Sequence, residues 1–143
     1  MTIKQLTVFV QNSKGSLVEL TKILGENNIN IRALSVAETQ DFGILRLIVN
    51  DVEKAIKVLH ENHYLIKATD VVGIIISDQP GGLSTALAAL DKADINVEYM
   101  YAFMTCSANS AYVVIRVADN AAAEKALLDA GLELMTEDDV AEL

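Results

Sequence analysis

Two short segments carry the residue types that could grip a small charged molecule. The first is Asn12-Ser13-Lys14-Gly15-Ser16-Leu17 together with Asn30; the second is Asp78-Gln79-Pro80-Gly81-Gly82-Leu83 together with Asn96. In each, a glycine stands just ahead of leucines at helical spacing. Glycine tolerates positive φ and lets the backbone approach a ligand closely. The helix that begins at Leu17 or Leu83 presents unpaired N–H groups and a partial positive charge, a seat for a carboxylate. Charge-assisted hydrogen bonds of this kind are worth about 1.5–3 kcal/mol each. Asn30 and Asn96, at the start of the following strand, can neighbour the turn and offer both a donor and an acceptor, which suits a zwitterion. The same residues have a plainer reading: Gly before a helix is ordinary turn chemistry, and Asn at a helix exit is a common cap. Spacing alone does not choose between them.

The elements that must position these residues occur twice. An offset of 66 places Val8–Leu17 on Ile74–Leu83, Gly15 on Gly81, Leu24 on Leu90, and Ile29-Asn30-Ile31 on Ile95-Asn96-Val97. After a two-residue insertion, Gly43–Asp51 matches Ala111–Asp119, and Tyr64–Val72 matches Leu132–Val140. Such self-similarity marks a duplicated structural unit. Leu6–Val10 and Val72–Ile76 read as buried strands. Leu17, Leu20, Ile23 and Leu24 recur at helical spacing, as do Leu83, Leu87 and Leu90. Ile29–Ala37 pairs with Gly43–Val49 as a hairpin, and Ile95–Phe103 with Ala111–Val117. Asp51 and Asp119 are N-caps for second helices, and a fourth strand ends each copy.

This β-α-β-β-α-β order predicts an α+β chain of two tandem ferredoxin-like domains, each an antiparallel sheet with both helices on one face. The predicted domains are residues 1–72 and 73–143. No linker separates them, since Asp70-Val71-Val72-Gly73-Ile74-Ile75 runs from the last strand of one copy into the first strand of the next. One helix layer leaves much sheet surface to cover, which predicts side-by-side packing of the halves and a homodimer.

Composition excludes several classes. Over 143 residues, 52% apolar and 22% charged describe a globular chain with a real core. The net charge of −9 is carried by residues 73–143, with three Lys/Arg against twelve Asp/Glu; residues 1–72 hold eight of each. No basic stripe is present to displace counterions, so nucleic acid is not an expected partner. No apolar run spans a bilayer and no leader pattern stands at the N-terminus, so a cytoplasmic protein without membrane contact is expected. Cys106 alone forms no intrachain disulfide. His60 and His63 have no third ligand at their spacing, so neither a metal nor a cofactor is expected. Glu98 follows Gly81 at a dinucleotide-binding distance, but a third glycine and the second crossover are lacking. Glu137-Asp138-Asp139 reads as a solvated acidic tail. Tyr99 and Tyr101 share one face of a strand, where they fit either a pocket wall or sheet packing. No nucleophile–base pair or paired carboxylates recur at the turns, so no catalytic residue is assigned.

A strand, then Asp/Asn-x-Pro-Gly-x-Leu, then a helix ending in Ala-x-Ile-Asn-Val, resembles the ACT domain of amino-acid-regulated enzymes. Asp78-Gln79-Pro80-Gly81-Gly82-Leu83 and Ala93-Asp94-Ile95-Asn96-Val97 carry the pattern best; the first copy has Lys14 in place of proline. Phe42–Leu47 and Glu98–Phe103 extend the likeness to bacterial stand-alone tandem ACT proteins. The resemblance implies a regulatory protein that binds a free amino acid between two ACT domains, against the glycine turn. By motif, the contacts would be Asn12, Gly15, Ser16, Leu17 and Asn30, and Asp78, Gly81, Gly82, Leu83 and Asn96. Asp78 puts a carboxylate where an amide is usual, so the two sites would differ. A metabolic enzyme is an implied partner; a ligand-free interaction module is the alternative.

Overall fold

A computed structural model describes residues 1–143. It divides into two compact units, one of Lys4–Thr69 with Val140–Leu143 and one of Asp70–Asp139 with Met1–Ile3. The expected fold class is found in both.

In the first unit, strands β1 (Ile3–Gln11), β2 (Ile31–Glu38), β3 (Phe42–Val49) and the start of β4 (Leu65–Ser77) lie in the order β2-β3-β1-β4. Helices α1 (Ser16–Glu26) and α2 (Val52–Glu61) cover one face. The period-2 alternation of β1 decides that face. Leu6, Val8 and Val10 point into the core with Leu20 and Leu24 of α1 and Val58 and Leu59 of α2, while Phe9 and Gln11 point away. Antiparallel pairing runs from Leu6↔Leu47 to Gln11↔Phe42. Gly43 faces Val10, where a Cβ would come within 2.9 Å of a Val10 methyl.

In the second unit the latter half of β4 takes the place of the first strand. It pairs with β6 (Ser110–Arg116) from Val72↔Ile115 to Ser77↔Ser110, and with β7 (Glu133–Leu134). β5 (Tyr99–Ala102) pairs on the far side of β6. The order β7-β4-β6-β5 repeats the first unit's topology, with α3 (Gly82–Lys92) and α4 (Asn120–Asp129) as its helix layer. β4 is one unbroken strand, which accounts for the missing linker.

The duplication is written into the backbone as well. Positive φ occurs at Gly15 and Gly81, at Asn28 and Asp94, and at His63 and Gly131, each pair at matching repeat positions. The exits of α1 and α3 close alike, with Ile29 N–H donating to Leu24 and Ile95 N–H to Leu90, each at 2.9 Å. Asp51 and Asp119 cap α2 and α4 through Lys54 N–H and Ala122 N–H, both at 3.1 Å.

Three expectations need correction. Leu17 and Leu83 do not join the helix cores; they are 43% and 37% exposed, and burial begins one turn later at Leu20 and Ala86. The fourth strand of the second copy is only two residues long. The supposed acidic tail is helix α5 (Glu137–Glu142). A reciprocal capping box explains α5: Asp139 accepts from the N–H and hydroxyl of Thr136 at 2.8 and 2.9 Å, and Asp139 N–H donates to the Thr136 hydroxyl at 3.1 Å. Acidic residues in a first turn also suit the helix dipole. Within the first unit, buried Arg32 donates to the carbonyls of Val140 and Ala141 at 3.1 and 2.9 Å, placing a cation at the end of α5. No helix is long and apolar enough to cross a membrane.

Candidate functional site

Both glycine turns form at the end of a strand and open directly into a helix. Gly15 (φ +91°) and Gly81 (φ +87°) are the N-cap residues of α1 and α3, and neither cap is closed by a side chain. The Gly15 carbonyl accepts from Glu19 N–H and the Gly81 carbonyl from Thr85 N–H, each at 3.0 Å. The next N–H groups, of Leu17 and Val18 in one unit and Leu83 and Ser84 in the other, belong to the first turn, which has no partner inside a helix. An added Cβ would meet nothing within 4 Å at Gly15 or Gly81, so open space faces both turns.

The polar neighbours differ between the units. Asn12 Nδ2 donates to the Thr39 carbonyl and Asn12 N–H to the Asp41 carbonyl, both at 3.4 Å, tying the first turn to the β2–β3 hairpin. Ser13 and Ser16 hydroxyls meet at 2.9 Å. In the second unit Asp78 N–H donates to the Asn109 carbonyl at 3.0 Å in the β5–β6 hairpin. Gly82 has a structural duty: a Cβ there would lie 2.0 Å from the Ser77 carbonyl oxygen.

Asn12, Gly15, Ser16 and Leu17 are thus brought together, as are Asp78, Gly81, Gly82 and Leu83. Asn30 and Asn96 are not placed with them, contrary to the expected adjacency. α1 separates Gly15 from Asn30 by its full eleven residues, about 16 Å at 1.5 Å per residue. Asn30 is bound instead to the far end of β3: its N–H donates to Asn50 Oδ1 at 2.8 Å, and its carbonyl accepts from Asn50 N–H at 3.1 Å. Asn96 is exposed beside Asp91 and Asp94 in a shallow depression. The reason is topological. A βαβ crossover returns the chain to the strand end opposite the turn, so the last turn of the helix cannot lie beside its first.

The structure also assembles side chains that spacing could not. A cleft of about 280 Å³ in the first unit is lined by Gln11 at the end of β1, Ser16 and Glu19 of α1, and His63 and Tyr64 after α2, with Phe9 and Val10 beside them. Burial first, and then the Glu19 carboxylate, raise the Tyr64 phenol above its ordinary pKa. The one sequence signal for this cleft is negative: Glu19 matches Thr85, and Tyr64 matches Leu132, places where the two copies disagree in chemistry. No three His, Cys, Asp or Glu side chains converge on a metal position. Cys106 is exposed in the β5–β6 hairpin. Tyr101 is buried opposite Val114, and Phe103 packs edge-to-face on Tyr112 with ring centres 6.1 Å apart.

A pair of like domains is also what the family comparison finds. The family model of the ACT domain pair matches residues 1–143. The chain belongs to the ACT domain pair family. Among solved structures, this ACT domain pair is similar to protein BT0572 from Bacteroides thetaiotaomicron. The two share 40% identity and a TM-score of 0.92 over 100% of this chain and 98% of that one. It is also similar in fold to the ligand-free regulatory subunit of aspartate kinase from Thermus thermophilus, with 15% identity, a TM-score of 0.65, and 89% and 91% of the two chains covered. The corresponding subunit from Thermus flavus gives 14% identity and a TM-score of 0.60 over 90% and 92%. A comparison with curated protein sequences finds no match.

Proposed function

We propose that this ACT domain pair is a non-catalytic sensor that binds a free amino acid at its glycine turns and passes the bound state to a metabolic enzyme. The observation that carries the reading is the doubled turn: the same positive φ, the same carbonyl-to-helix hydrogen bond and an outward leucine at the start of α1 and of α3. A core alone does not call for an exposed leucine at both places. Asn12, Gly15, Ser16 and Leu17, and Asp78, Gly81, Gly82 and Leu83, supply the contacts in this proposal. Asn30 and Asn96 reach a ligand at a turn only from a facing domain, and a homodimer is part of the proposal. The domains are taken as residues 1–72 and 73–143, the limits of the repeat, and the protein as cytoplasmic. The fold likeness to regulatory subunits of aspartate kinase supports a regulatory role and an enzyme partner.

A thermal-shift screen against the twenty amino acids tests this. A ligand at about 100 times its Kd adds about 2.7 kcal/mol to the folded state, a rise of several degrees for a chain of this size. Gly81→Val should abolish the shift at the second turn and Asn12→Ala weaken it at the first. No shift with any amino acid transfers the reading to a ligand-free interaction module. The exposure of Phe42 (56%), Val18 (69%) and Leu65 (69%) on the first unit favours that alternative.

A further inference from the structure

We propose that the cleft inside the first unit is a binding site for the ammonium group of a small metabolite, held by Glu19, and that the second unit has no counterpart. The inference deepens the amino-acid reading, on which it rests for the identity of the metabolite, by adding an ammonium seat beside the first glycine turn alone.

Three observations carry it. The cleft lies within one unit and is built from three separate chain segments: the end of β1, the first turn of α1 and the turn after α2. At about 280 Å³ it falls just below the range of drug-sized pockets, which suits a metabolite of a few heavy atoms. Its charge is of one sign. Glu19 is its carboxylate, and no lysine or arginine lines it. The other polar side chains at the cleft are the Ser16 and Tyr64 hydroxyls, the Asn62 amide and the His63 imidazole. Glu19 and Tyr64 both line the cleft.

The comparison between copies is independent of these. At the repeat positions of Phe9, Gln11, Ser16, Glu19, His63 and Tyr64, the second unit has Ile75, Ser77, Gly82, Thr85, Gly131 and Leu132. The carboxylate, imidazole and phenol are all gone. Meanwhile the core and cap positions of the same elements persist, Leu24 as Leu90 and Asp51 as Asp119. The polar side chains of the cleft are therefore confined to the first unit.

The test is calorimetry on the full chain with three probe sets: the twenty amino acids, their N-acetyl derivatives, and ethanolamine as an amine without a carboxylate. The cleft should contribute one Glu19-dependent equivalent per chain, and acetylation of the amine should abolish that equivalent. Glu19→Gln should weaken it about tenfold or more, the loss of one charge-assisted hydrogen bond. Tyr64→Phe should weaken it less, and Thr85→Ala, at the matching position, should leave it unchanged. Amide chemical shifts of the free variants check that the fold is kept. If an amino acid binds Glu19→Gln as tightly as the parent chain and is lost with Gly81→Val, the cleft proposal is overturned and the sensor reading stands. If ethanolamine binds in a Glu19-dependent way and no amino acid binds, the cleft stands and the sensor reading fails. Failure of every probe overturns the cleft.

Discussion

Substituting the two adjacent glycines Gly81 and Gly82 by alanine separates two physical reasons for a glycine. Gly81 has φ +87° with nothing within 4 Å of where a methyl would stand, so alanine there meets only the cost of the left-handed backbone, about 1–2 kcal/mol. Gly82 carries no such φ, but its Cβ would lie 2.0 Å from the Ser77 carbonyl oxygen and 3.1 Å from its carbon. Relief needs a shift of about 1 Å, and the obstacle is backbone that is itself paired with Ser110 at the start of β6. A clash of this kind belongs at the upper end of overpacking costs, about 3 kcal/mol or more. At about 3–4 °C per kcal/mol for a chain of this size, Gly82→Ala should lower Tm by about 10 °C and Gly81→Ala by about 3–8 °C. Thermal unfolding followed by far-ultraviolet circular dichroism measures both. Hydrogen exchange should confine the Gly82→Ala loss to residues 72–134. A Gly82→Ala chain within about 0.5 kcal/mol of the parent, or a costlier Gly81→Ala, refutes the steric argument.

Two further predictions concern stability. The Thr136 hydrogen bonds hold the Asp139 carboxyl below its ordinary pKa, so the capping box contributes fully above the unfolded carboxylate value and is lost as pH falls through the lower folded value. Asp139→Ala should therefore cost about 0.5–1 kcal/mol in urea at pH 6, and the difference from the parent should vanish on acidification to below the ordinary carboxylate range; a gap that persists unchanged would show that the charge is not responsible. Leu24→Ala and Leu90→Ala remove matched, fully buried side chains and should each cost about 2–5 kcal/mol. Exchange protection should fall in the first unit for one and in the second for the other, and a uniform loss would contradict separate cores.

Much of the fold is legible in the sequence because its signals are local. Alternation in β1 and the leucine spacing of α1 each report on a few neighbouring residues, and Asp51 and Asp119 mark helix starts by a contact three residues away. The repeat made these readings mutually supporting, since each weak signal occurs twice. Glu137-Asp138-Asp139 is the instructive failure: its charges suggested a tail, while Thr136, one residue earlier, completes a capping box that makes a helix.

The sequence by itself determined the duplicated order of elements, the continuous β4 and the left-handed glycine ahead of α1 and α3, because dihedral preference and hydrophobic period act within one turn or strand. Only the tertiary structure decided which ends meet. Sheet register and the direction of the crossover carried Asn30 to the far end of α1 from Gly15, brought Tyr64 to Glu19 across forty-five positions of sequence, and set the Ser77 carbonyl against Gly82. Those placements depend on how strands stack side by side, a choice that no short run of residues contains.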